Sequence, residues 1–118
     1  MSTLRIGIAR YEQMKAVTLA IAQGKRKRNE PKIWFTSMES FAKVLSDRNR
    51  ALLNLIAETQ PDSLAELAAL SGRAKSNLSR TLHTMERYGL VLLKKKADGK
   101  IQPQVPYTDI ALDLPMCL

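Results

Sequence analysis

Hydrophobic residues along this chain change period several times. From Thr3 to Ile8 they alternate, with Leu4, Ile6 and Ile8 on one side and Arg5 and Gly7 on the other, which predicts a short strand. From Arg10 the spacing becomes helical through Tyr11, Met14, Val17/Thr18 and Ile21, and Gly24 is placed to stop that helix. A polar basic run closed by Pro31 reads as an exposed linker, and Ile33-Trp34-Phe35 is a brief β-prone run. Thr36 stands three residues before Glu39, the spacing of a capping box, ahead of a short helix with Met38, Phe41 and Leu45 on its apolar face. Ser46 and Asp47 open a further helix with Leu52, Leu53, Leu55 and Ile56 inward and Pro61 past its end. Ser63 and Glu66 repeat the capping-box spacing before a compact helix over Leu64, Leu67, Ala68 and Leu70.

Ser71-Gly72 breaks that helix, and after a tight turn another runs from about Lys75 to Tyr88, with Leu78, Leu82 and Met85 at i, i+4 and i+7. Gly89 sits where a left-handed helix-ending residue is wanted. Leu90 to Lys96 then reads as a strand, Asp98-Gly99 as a hairpin turn and Lys100 to Val105 as the return, an edge strand because of Pro103 and Pro106. The pattern leaves the hairpin register open, because Leu92 and Leu93 are both apolar. Ile110, Leu112 and Leu114 alternate with Ala111 and Asp113 in a last short strand before Pro115.

Charge sharpens this outline. The 118 residues carry a formal +8, and it is concentrated. Residues 73–100 hold Arg73, Lys75, Arg80, Arg87, Lys94, Lys95, Lys96 and Lys100 against Glu86 and Asp98. Residues 25–32 hold Lys25, Arg26, Lys27, Arg28 and Lys32 against Glu30. Two focused basic patches suit a polyanion lying across them better than a need for solubility, which spreads charge.

The order helix, glycine turn, helix, basic hairpin over 63–105 is that of a helix-turn-helix with a wing. A B-DNA major groove about 12 Å wide accepts one α-helix. The inserted helix needs small polar and basic residues outward at its N-terminal end and an apolar anchor behind them. Lys75, Ser76, Asn77, Ser79 and Arg80 fit the first need, and Leu78 and Leu82 the second. Base contacts are therefore expected from Lys75, Ser76, Asn77, Ser79 and Arg80, with Thr84 further along the helix. Backbone contacts are expected from Arg73, Lys94, Lys95, Lys96 and Lys100. Lys25, Arg26, Lys27 and Arg28 form an additional basic patch.

The stretch S-N-L-S-R-T-L-H-T-M-E-R-Y-G-L-V, residues 76–91, resembles the recognition helix and first wing strand of MarR-like and ArsR-like winged-helix transcriptional regulators. The wider chain is similar to short prokaryotic MarR-like DNA-binding proteins through I-W-F-T-S at 33–37, L-S-D-R-N-R-A-L-L at 45–53, S-L-A-E-L-A at 63–68, V-P-Y at 105–107 and L-D-L at 112–114. The resemblance implies a dimeric transcription factor, in the first instance a repressor, and has a weaker association with DNA-binding antitoxins of toxin–antitoxin pairs. Where such regulators often cap the recognition helix with Ser or Thr, this chain has Ala74.

The expected fold is mainly α with a small β wing. A winged helix-turn-helix over 33–107 is preceded by a strand-helix extension and basic linker over 1–32 and followed by a C-terminal strand over 108–118. A homodimer is expected, with Leu4, Ile6 and Ile8, the Tyr11–Met14–Ile21 stripe, and Ile110, Leu112 and Leu114 as candidate pairing surfaces. The two alternating runs are able to pair with each other within one chain or between two. Double-stranded DNA is the expected partner. The alternatives are a toxin partner or a winged helix that holds another protein.

Enzyme chemistry has no positive feature: no glycine-rich phosphate loop, no paired-carboxylate site, no nucleophile beside a base. One Cys and one His make an ordinary zinc site unattainable, so no metal or cofactor is expected. Trp34 and Phe35 read as core rather than as base-stacking residues, and His83 as a helix residue without catalytic partners. The absence of a long apolar run or signal-peptide pattern gives a cytoplasmic expectation.

Overall fold

The computed structural model describes residues 2–24 and 33–115. Lys25, Arg26, Lys27, Arg28 and Cys117 lie outside the described residues. Among those described there are five helices and five strands, a small α+β protein: β1 (Thr3–Ile8), α1 (Tyr11–Ala22), β2 (Ile33–Phe35), α2 (Met38–Val44), α3 (Asp47–Thr59), α4 (Leu64–Ser71), α5 (Lys75–Arg87), β3 (Leu92–Lys95), β4 (Ile101–Gln104) and β5 (Asp109–Asp113). No helix among them is long and apolar enough to cross a membrane. Packing divides the chain into two compact units, residues 1–43 with 108–118 and residues 44–107. Residues 33–43, grouped by sequence pattern with the helix-turn-helix, thus belong with the N-terminal strand and helix.

The first unit is built on a three-stranded sheet of order β2-β1-β5. Both pairings are parallel, Ile6 opposite Ile33 and Ile6 opposite Leu112. The strands expected at both ends of the chain and the β-prone run at 33–35 are all present, and they join into one sheet. The two alternating runs at the ends of the sequence pair with each other within the chain. β1 is central and carries the apolar load, with Leu4, Ile6 and Ile8 buried, as is Ala9 just past its end. A parallel central strand loses solvent on both faces, and on the second face of β1 that requirement falls on Gly7. Gly7 lies opposite Trp34, and a Cβ placed there would run into the indole ring. Phe35 is 3% exposed and meets Phe41 of α2 edge-on, with ring centroids 5.4 Å apart. Trp34 and Phe35 therefore serve the sheet. Arg5 of β1 forks onto Asp113 of β5 at 2.8 and 3.0 Å, fastening the strand from the far end of the sequence.

The start of α2 differs from the expected capping box by one residue. Ser37, not Thr36, is the cap: its hydroxyl accepts the Ser40 amide at 3.1 Å. Thr36 directly follows the last residue of β2 and is exposed.

In the second unit three helices surround one apolar centre. α3 starts at Ser46, whose hydroxyl accepts from the Asn49 amide. It points Leu52, Leu53 and Ile56 inward and stops at Gln60, a left-handed residue (φ 46°) followed by buried Pro61. α4 starts at Ser63, which accepts from the Glu66 amide at 3.1 Å, while the Glu66 carboxylate reaches back to the Asp62 amide. The box spacing is thus real, although the return bond lands one residue early. Gly72 (φ 72°) ends α4 in the left-handed conformation that a Cβ disfavours, and its amide bonds to the Ala68 carbonyl.

β3 and β4 form an antiparallel hairpin with Leu93 opposite Pro103 and Lys95 opposite Ile101. This settles the register that two adjacent leucines left open: Pro103 is fully buried, and Leu92 is half exposed. The strand begins two residues later than its hydrophobicity suggested, because Leu90 and Val91 are buried in the connection from α5. A two-residue hairpin turn at Asp98-Gly99 would need positive φ at both positions. Only Gly99 has it (φ 86°); Asp98 instead accepts the Lys100 amide on its carboxylate, and the loop holds three residues between Lys96 and Lys100.

Candidate nucleic-acid interface

α5 sorts its residues sharply by side. Leu78, Leu82 and Met85 have no exposed surface at all. Lys75, Ser76, Asn77 and Arg80, on the other side, are exposed. Ser79 and Thr84, also expected outward, are half-buried, and their hydroxyls are engaged locally. Thr84 donates back to the Arg80 carbonyl at 3.1 Å. Ser79 Oγ lies 3.4 Å from His83 Nδ1, which is itself 2.6 Å from the Ser79 carbonyl. A carbonyl can only accept, so Nδ1 is the donor in this contact. The outward stripe thus runs Ser76, Arg80, His83 and Arg87, at spacings of three and four. His83 and Arg87 were not among the expected contacts, and the helical spacing from Arg80 was the signal that would have found them.

The amino end of α5 differs from those of α2, α3 and α4. Ala74 offers no side-chain acceptor, and the first turn contains no acidic residue. Among the described residues, no side chain caps the first amides of the helix, which keep their partial positive charge.

The cations fall into two sets. Among the described residues, the side chains of Lys75, Arg80, Lys94, Lys95 and Lys100 make no hydrogen bond or ion pair, and all five are exposed. Arg73 and Lys96 are committed within the unit. Arg73 donates to the Arg48 carbonyl at 2.9 Å and to Asn49 Oδ1 at 3.3 Å, bridging from the turn before α5 to the first turn of α3. Desolvation and then the neighbouring Arg48 charge push its guanidinium down from the ordinary arginine value. Lys96 donates to the Asp62 carbonyl at 3.3 Å and stands 3.9 Å from its carboxylate, tying the hairpin to the residue ahead of Ser63. Gln102 reaches the same carboxylate at 3.5 Å. These two cations tie the start of α5 and the hairpin to the rest of the unit. Arg73 also makes Arg48 its neighbour, a cation that the linear pattern, 25 residues away, gave no reason to include.

Fold and site together define a small α+β protein with a polar, basic helix face beside a basic hairpin. Among the described residues no group of three or more His, Cys, Asp or Glu is placed to hold a metal ion. Residues 44–112, more than half of the chain, match the model of the HVO_A0114 family, and the chain belongs to that family. No curated protein and no solved structure matches it.

Proposed function

We propose that the protein is a sequence-specific double-stranded DNA-binding regulator of transcription, a repressor in the simplest case. Its 44–107 unit acts as a winged helix-turn-helix: α4 braces, α5 enters the major groove and the β3–β4 hairpin lies along phosphates. The observation that carries this is the two-sidedness of α5. A helix anchored by three fully buried side chains presents Lys75, Ser76, Asn77 and Arg80 to solvent, and among the described residues their side chains have no hydrogen-bond partner. A helix about 10–12 Å across fills a groove about 12 Å wide. Arg80 has the reach and the fork to read a guanine edge, and Asn77 the amide to read an adenine. Lys94, Lys95 and Lys100 supply charge that positions without reading sequence. The open amino end of α5 faces any phosphate beside it with unpaired amides.

Fluorescence anisotropy on a labelled duplex over a salt series tests the proposal. Lys94, Lys95 and Lys100 on phosphates predict a log–log slope of about −2.7, at about −0.9 per neutralised phosphate. No binding at low salt, or binding that salt leaves unchanged, would contradict it.

A further inference from the structure

We infer that β5 is the seam of a homodimer, pairing antiparallel with β5 of a second copy about a twofold axis at Leu112. The evidence begins with topology. β1 is enclosed by β2 and β5, so the outer edge of β5 has no strand partner among the described residues. In-register neighbours across a sheet share a face, and Leu4 and Ile6 lie opposite Ile110 and Leu112. Leu4 and Ile6 are buried, yet the same apolar row continues half open onto β5 at Ile110 and Leu112, at 37% and 41% exposure, and just past its end at Leu114, at 48%. A sheet that ends in solvent on an apolar row and an unpaired backbone edge is a template for another strand.

Charge selects the occupant and the register. An axis at Leu112 sets Ile110 against Leu114 of the partner subunit and Leu112 against itself, so apolar meets apolar on one face. On the other face Asp113 meets the partner's Ala111, and Asp113 is already neutralised by the Arg5 fork at 2.8 Å. An axis at Ala111 would instead set Asp109 against Asp113 of the partner subunit twice, and an axis at Asp113 would set that carboxylate against its own copy. Like charges directly opposite destabilise a strand pair. A shift to an odd register would place the apolar row beside the aspartates. The segment Ile110-Ala111-Leu112-Asp113-Leu114 is therefore complementary to itself about Leu112, where all three of its exposed apolar residues meet apolar partners, and the product is a continuous sheet of six strands. The other exposed apolar residues of this unit lack that property. Tyr11 carries the Lys15 ammonium 4.7 Å from its ring centroid, and Leu19 and Met38 lie on helices, on α1 and α2, which present no backbone edge.

The inference concerns the free protein and is tested without DNA. Sedimentation equilibrium at micromolar concentration should give the dimer mass for the wild type and the monomer mass for Leu112→Asp, with helical circular dichroism retained. Because an aspartate in a strand can also unfold it, a cysteine scan accompanies the charge variant. In a Cys117→Ser background, mild oxidation of Leu112→Cys should give a covalent dimer that runs at twice the monomer mass without reductant, since residue 112 faces itself across the axis. Leu19→Cys should give none. A monomeric wild type, or a dimer that Leu112→Cys fails to cross-link, would overturn the inference whatever the protein does with DNA.

Discussion

Replacing Leu82 by alanine removes three carbons from a side chain with no exposed surface, at the middle of the buried face of α5. Loss of burial alone costs about 2.4 kcal/mol at about 0.8 kcal/mol per carbon. The space left behind adds a cavity term, because Leu67, Leu78 and Met85, all without exposed surface, already fill the interior of the same unit and can relax only in part. The expected loss is roughly 3–4 kcal/mol, within the range seen for buried leucines. At about 4–8 °C per kcal/mol for a domain of this size, the midpoint should fall by roughly 12–30 °C. Thermal and urea melts followed by circular dichroism measure it. Leu92→Ala is the control: Leu92 is 49% exposed, and its truncation should cost only about 1 kcal/mol. If Leu82→Ala melts with the wild type, α5 is turned about its axis from the orientation described. Arg80, two residues away, then no longer faces outward.

Gly7→Ala should destabilise the first unit by roughly 1–3 kcal/mol, because the added methyl overlaps the Trp34 ring across the strand pair; Trp34 is the only tryptophan, so its emission reports the disturbance directly. Ala74→Ser should stabilise by about 0.5–1 kcal/mol, supplying the acceptor that α5 lacks. Ala74→Asp should stabilise similarly in thermal melts yet weaken duplex binding, since a carboxylate at that end competes with phosphate; equal affinity for Ala74→Asp and wild type would place the phosphates elsewhere.

The parts of this molecule legible from sequence are those set by near neighbours. The buried face of α5 follows from Leu78, Leu82 and Met85, the cap of α4 from Ser63, and the stop of α4 from Gly72; each depends on residues a turn or less away. What sequence did not disclose depends on partners far along the chain. Nothing local in Leu4-Arg5-Ile6 states that its neighbour is Ile110-Ala111-Leu112, or that the pairing is parallel. Gly7 acquires a reason only when Trp34 is laid over it. The same holds for the candidate site. Exposure of Lys75, Asn77 and Arg80 followed from helical period, whereas the anchoring of Arg73 to Arg48 and of Lys96 to Asp62 required the fold. Competition between near neighbours accounts for the small shifts: Thr36 and Ser37 are both good caps, and the strand end at Phe35 decides for Ser37.

The central claim is that α5 reads sequence while the hairpin only holds phosphate. Selecting duplexes from a random pool with wild-type protein, then measuring Arg80→Ala and Lys95→Ala on the selected and on a scrambled duplex, separates the two roles. Arg80→Ala should lose about 1–3 kcal/mol on the selected duplex and little on the scrambled one. Lys95→Ala should weaken both by a similar factor and lower the salt slope by about one. Should Arg80→Ala bind the selected duplex as tightly as wild type, α5 is not the reading element and the account fails at its centre.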